Sequence, residues 1–119
     1  MKYLLTIYSN EKETMAAMAK DPGSMQRVME MHNEFGKKFA ASMRGGEALH
    51  PSTEAMSVHN KAGKISVTHG PFAETKEQLG GYYIIEADSI DAAVEIAKSC
   101  PCHESGGTFE VRQIVDFGP

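Results

Sequence analysis

The segment from His69 to Glu77 concentrates the side chains best suited to proton chemistry. It holds an imidazole at His69, carboxylates at Glu74 and Glu77, and an ammonium at Lys76. General acid–base catalysis needs a group whose pKa the surroundings can tune, which an imidazole or a desolvated carboxyl supplies. A lysine beside it can hold an anionic substrate oxygen. The Gly80-Gly81 pair that follows lets backbone come close to a ligand, since no Cβ stands in the way. Glu47, directly after Gly45-Gly46, and Tyr8, at the end of the first apolar stretch, are candidates for the rim of the same pocket. The expected catalytic groups are therefore His69, Glu74 and Lys76, with Tyr8, Glu47, Glu77, Gly80 and Gly81 as expected ligand contacts. The same letters admit a structural reading. Gly70-Pro71 is a turn, Phe72 a plug for the core, and Thr75-x-x-Gln78 a capping box that opens one helical turn.

Other constellations carry less. Cys100-Pro101-Cys102-His103 places three metal-capable side chains within four residues, but the spacing is not the usual two-residue gap and no second cluster completes a tetrahedral set. No metal site is expected, and the two cysteines read as reduced thiols. His50 and His59 stand alone. His32 falls on an apolar helical stripe near Phe35 and Phe39, where a lone histidine reads as a packing residue. The methionines between positions 15 and 56 read as gap-filling core. No phosphate-binding loop, nucleophile motif or cofactor fingerprint is present, so any chemistry is expected to run without a nucleotide cofactor.

The elements that must position these residues follow from periodicity. Residues 2–8 alternate as a strand, with Tyr3, Leu5 and Ile7 on one face. Asp21-Pro22-Gly23 ends anything helical before it. Residues 25–43 read as the main helix, with a stripe through Val28, Met31 or His32, Phe35, Phe39 and Met43, Ser24 as its cap and Gly45-Gly46 as its stop. Residues 55–59 and 64–69 form a hairpin around Asn60-Lys61-Ala62-Gly63. Gly80-Gly81 opens a strand from Tyr82 to Ala87. A second helix starts at Ser89 with the stripe Ile90, Ala93, Val94, Ala97, and residues 108–117 are the last strand. This is an α+β plan, with two helices on one face of a mostly antiparallel sheet.

A chain of 119 residues, 41% hydrophobic and 24% charged, is one ordinary globular domain, residues 1–119. Its net charge of −4 argues against nucleic acid as a partner. No apolar run approaches a membrane span, and the first residues lack a signal-peptide core, so a cytoplasmic location is expected. Two helices cover one sheet face only, yet the first strand and Tyr82-Tyr83-Ile84-Ile85 are apolar on both sides. A second copy packed on that open face, a homodimer, is the expected way to hide it.

The run Thr68-His69-Gly70-Pro71-Phe72-Ala73-Glu74-Thr75-Lys76-Glu77-Gln78-Leu79-Gly80-Gly81-Tyr82-Tyr83 resembles the signature of the YCII-related proteins, specifically their DGPF (DGPFAETKE) branch. Lys2 to Tyr8, Gly45 to Leu49 and Gly106 to Arg112 extend the likeness over nearly the whole chain. The resemblance implies a ferredoxin-like subunit, with the hairpin as an addition, assembled as a dimeric α/β barrel. It also implies two functional alternatives. One is binding, or proton-transfer chemistry on, a small polar or anionic molecule, by likeness to muconolactone isomerases. The other is a non-catalytic regulatory module working with an extracytoplasmic-function sigma factor, beside which such proteins are often encoded. One departure is chemical: the motif's leading Asp is His69 here, an imidazole that can titrate near neutral pH.

Overall fold

Strand β1 (Lys2–Ser9) lies between two strands made much later in the chain. The computed structural model describes residues 1–103 and 106–119. β1 pairs antiparallel with β5 (Gln78–Glu86) on one side, from Lys2↔Glu86 to Ser9↔Gln78, and with β6 (Thr108–Gln113) on the other. The edge strand β2 (Met43–Ala48) pairs with β5, giving a four-stranded sheet in the order β2-β5-β1-β6. Every pairing is antiparallel, as expected for this α+β plan, and the arrangement is compatible with a ferredoxin-like fold. A separate two-stranded sheet is the hairpin of β3 (Met56–Lys61) and β4 (Lys64–His69), preceded by a single 3-10 turn at Ser52–Glu54. Its turn sits where the sequence places it: Ala62 and Gly63 both take positive φ, and Asn60 Oδ1 accepts the Gly63 N–H.

The described residues form three α-helices, not two. α1 (Glu11–Lys20) follows β1 directly, capped by Asn10, whose side chain accepts the Glu13 N–H at 3.0 Å. None of its residues is buried, so it lacks the apolar stripe that would reveal it in sequence. α2 (Ser24–Lys38) is shorter than the expected 25–43, because the chain turns at Phe39 and Met43 already begins β2. Ser24 does not cap it. Gly23 holds the cap position, and Ser24 is the first helical residue, buried with no partner for its hydroxyl among the described residues. α3 (Ile90–Lys98) begins as expected, with Ser89 Oγ accepting the Ala92 N–H.

Gly45-Gly46 is not a helix stop but part of β2, and the reason is a close approach. A Cβ on Gly46 would stand 2.6 Å from Tyr83 Cδ1 and 2.8 Å from the Tyr82 carbonyl. Likewise Gly80-Gly81 lies inside β5 rather than before it, beside a register shift opposite Ile7 and Tyr8. The last strand ends at Gln113, leaving Val115 and Phe117 exposed. Thr75 starts no helical turn: its hydroxyl donates to the Glu77 carbonyl, and Gln78 Nε2 donates back to the Thr75 carbonyl. Phe72, expected in the core, is 85% exposed.

The core lies between the sheet and one helical layer. Leu5, Phe35, Ala97 and Cys100 form one buried cluster, and Tyr3, Ile85 and Ala93 another. Met43, Tyr83, Ile96 and Val111 pack against both. Strand alternation turns Leu4, Thr6, Tyr82 and Ile84 to the opposite face, where they are half-buried. Among the described residues, no helix is long and apolar enough to cross a membrane.

Two glycines test this account of the packing. Gly36, inside α2, has nothing within 4 Å of an added Cβ. Gly36→Ala should therefore stabilise the fold by about 0.5–1 kcal/mol, the helix-propensity gain. Gly46→Ala forces a Cβ against a backbone carbonyl and should destabilise by about 1–3 kcal/mol, the usual range for overpacking. Urea unfolding midpoints of the two variants against wild type check both signs.

Candidate functional site

A cavity of about 410 Å³ opens between the sheet and the first two helices. Its wall on the helix side is flexible and apolar: Met18 from α1, and Met25, Val28 and Met29 from α2. Gly46 and Ala48 of β2 with Gly80, Gly81 and Tyr83 of β5 line the sheet side. The missing side chains of Gly46 and Gly81 leave room there; a Cβ on Gly81 would meet the Glu47 carbonyl at 2.9 Å. Ile7, Tyr8 and Ser9 at the end of β1, and Pro101 to His103 after α3, close the far end.

The polar centre of this wall is a pair from α2 and β5. His32 Nδ1 lies 2.7 Å from Tyr83 Oη, with the rings stacked at 5.9 Å between centroids and 30° between planes. Phe35, one turn on from His32, packs its ring 5.3 Å from that of Tyr83. Desolvation lowers the His32 pKa below its usual 6.5, favouring the neutral imidazole at neutral pH. Burial, helped by the nearby Cys100 thiol, raises that of Tyr83, so its phenol keeps its proton. The second ring nitrogen of His32 has no hydrogen-bond partner among the described residues and is not sealed from solvent. A neutral imidazole with one nitrogen tied to a phenol and the other open is the arrangement general acid–base chemistry uses.

The neighbouring thiols differ sharply. Cys100 is buried and its pKa is pushed up to about 12 by burial and by Cys102, so it is an inert thiol at neutral pH. Cys102 is exposed and lines the cavity beside His103. His103 is only 9% exposed, and neither of its ring nitrogens has a hydrogen-bond partner among the described residues. Among the described residues, no three His, Cys, Asp or Glu side chains converge as a metal centre.

The model of the YCII-related domain matches residues 1–118. The chain belongs to the YCII-related family. Its similarity to a protein of Rhizobium meliloti (strain 1021), whose name says only that it is uncharacterized, is 34% identity over all of this chain and 96% of that one. In this YCII-related chain the residues singled out from sequence fall into two groups. Tyr8, Glu47, Gly80 and Gly81 line the cavity. Alternation nevertheless turns the Glu47 carboxylate, like its register partner Tyr82, toward the sheet's other face. His69, Glu74, Lys76 and Glu77 do not line it. His69 ends β4, exposed opposite Met56, and Glu74 and Lys76 are exposed in the following loop. Glu77 accepts a 2.6 Å hydrogen bond from Thr108 Oγ1, tying that loop to β6.

Sequence reasoning passed over His32 and Tyr83. The signal for His32 was its place on an otherwise apolar helical stripe, where a buried imidazole must find a partner. Nothing local to the strand names Tyr83 as that partner.

The lowered His32 pKa has a definite sign for stability. Unfolded, this histidine takes up a proton near 6.5; folded, it does so only at lower pH. Over that window the unfolded chain binds more protons, so stability falls as pH drops below about 6.5 toward the folded value. Urea midpoints between pH 7.5 and 5 should decline more for wild type than for His32→Gln. Equal slopes would show that His32 titrates normally in the folded protein.

Proposed function

We propose that this protein is a homodimer that binds a small molecule with an apolar body and a hydrogen-bonding head, and moves a proton on it through His32 and Tyr83. The observation that carries the reading is the 2.7 Å His32–Tyr83 contact on the wall of a mostly apolar cavity. A volume of about 410 Å³ is in the usual range for small-molecule sites. Among the described residues no lysine or arginine lines the cavity, which favours a neutral polar head over an anionic one. The match of Gly70 through Glu77 to the DGPFAETKE motif supports placing the chain in that branch. Support for the dimer, with its two sheets meeting as the halves of a barrel, is the half-buried apolar face carrying Leu4, Tyr82 and Ile84.

The chemistry is that of an enolisable ketone or a related activated C–H. With the imidazole proton on Nδ1, donated to the Tyr83 oxygen, Nε2 presents its lone pair to the ligand. Nε2 takes the proton from the carbon next to the carbonyl. The C–H electron pair forms the C=C bond, and the carbonyl π pair moves to oxygen, where the Tyr83 hydroxyl donates a hydrogen bond to the enolate. Return of the proton from Nε2 to the same or a conjugated carbon restores the ketone or isomerises it. Neither residue changes its net protonation over the cycle.

The test uses 4-hydroxyacetophenone as probe, followed by calorimetry and by loss of its methyl proton signal in D₂O. Wild type should bind it and speed the exchange above the buffer rate. Tyr83→Phe should weaken binding about 10-fold, the cost of one lost hydrogen bond in a desolvated site. His32→Gln should abolish the exchange while retaining binding, and Met15→Ala, outside the cavity, should change neither. Binding without catalysed exchange would leave a binding protein and sink the proton-transfer step.

A further inference from the structure

The hairpin of β3 and β4 stands apart from the rest of the molecule. The Cα radius of gyration is 16.3 Å, and the chain extends 48 × 45 × 19 Å. A compact domain of this length would have a radius near 13–14 Å, so part of this chain projects in the plane of a thin slab. The hairpin base is held by the Gly70 N–H donating to the Ala55 carbonyl and the Ser57 hydroxyl donating to the Gly70 carbonyl. Both its strands are edges, since the sheet has only two.

Its two faces differ. Ser57, His59 and Lys61 with Lys64, Ser66 and Thr68 occupy one. Met56, Val58, Ile65 and Val67, between 54% and 68% exposed, occupy the other, with His69 at its base and Asn60 at its turn end; Phe72, 85% exposed, borders β3. This is an apolar stripe of roughly 500 Å², the size of the largest such patch on a typical monomer, and patches of that size often serve as contact surfaces. A lone two-stranded hairpin is marginally stable without something packed on it.

We infer that the hairpin is an arm that clasps a second copy of this chain, laying the Met56–Val58–Ile65–Val67 stripe on its twin. The inference rests on the homodimer proposed above and names the surface that holds it together. A two-fold axis makes the contact reciprocal, so two arms and the surfaces they cover bury about 2,000 Å² in total, the upper end of a standard specific interface. The twin also offers an apolar face left open by its one-sided helices, with Leu4, Tyr82 and Ile84 half-buried on it. The same face carries no Asp, Glu, Lys or Arg; its polar groups are His69, opposite Met56 at the base, and Asn60, opposite Ile65 at the turn, whose Oδ1 is already held by the Gly63 N–H, so desolvation falls mainly on the two ends of the stripe. The net charge of −4 disfavours an anionic membrane as the occupant.

Sedimentation velocity of the full chain, from low micromolar to about 100 µM, tests this against Val58→Lys/Val67→Glu, an opposite-charge pair that the register sets side by side and the hairpin tolerates. These side chains lie on the exposed face of the hairpin, so the double variant should keep the far-UV spectrum and urea midpoint of the isolated chain. Wild type should sediment as a species of twice the 13.0 kDa chain mass, and the variant should dissociate at concentrations at least ~100-fold higher. As a second readout, amides of Ser57 to Lys61 should exchange more slowly as wild-type concentration rises. A variant that dimerises as tightly as wild type overturns the arm and leaves the dimer, held by the sheet face alone. A wild type that stays monomeric at every concentration overturns the dimer and the arm together, and leaves the cavity reading untouched.

Discussion

Tyr83 is the side chain through which the packing of the core becomes the chemistry of the cavity. Its ring sits on the helix-facing side of β5 opposite Leu5, packs against Phe35, and touches both buried clusters. Its hydroxyl is the polar end of that packed body, and it meets His32 Nδ1 at 2.7 Å. The same exclusion of water that favours burial of Phe35 disfavours the charged forms of both partners, lowering the histidine and raising the tyrosine. Gly46 belongs to this arrangement, because a side chain there would push the tyrosine ring away from its place. The pair is positioned by the core, and its protonation states follow from that position.

What could be read in the sequence was whatever depends on local period and turn chemistry. β1, the hairpin with its Ala62-Gly63 turn, α3 with its Ser89 cap, and the helix-bearing side of the sheet all follow from alternation and caps. The double glycines misled because glycine has two uses. At Gly45-Gly46 a close approach between strands needed it, and sequence offers no view of the neighbouring strand. α1 escaped because it buries nothing.

The site itself was half readable. Tyr8, Glu47 and Gly80-Gly81 do gather at one cavity, since they sit at one end of adjacent strands. The dense run from His69 to Glu77 is a different matter. Chemistry-bearing letters close in sequence need not converge in space, and here several serve as ties: Thr75 to Glu77, Gln78 to Thr75 and to the start of α1, Glu77 to Thr108. The polar pair on the cavity wall comes from residues 51 positions apart, and only the packing of α2 on β5 brings them together.

The strand order also has a consequence for how the chain is made. β1 lies inside the sheet and is synthesised well before the strands it pairs with, β5 and β6, which begin at residues 78 and 108. At about 5–20 residues per second of synthesis, its backbone groups wait many seconds before either partner leaves the ribosome. During that time a strand apolar on both faces has no sheet to join, and closing a loop of that length makes the pairing slow once it can begin. Its edges are open to any other extended chain in the meantime. The eight residues of β1 are thus exposed long before they are satisfied, and a nascent chain of this topology leans on whatever shields β1 until residue 86 has been made.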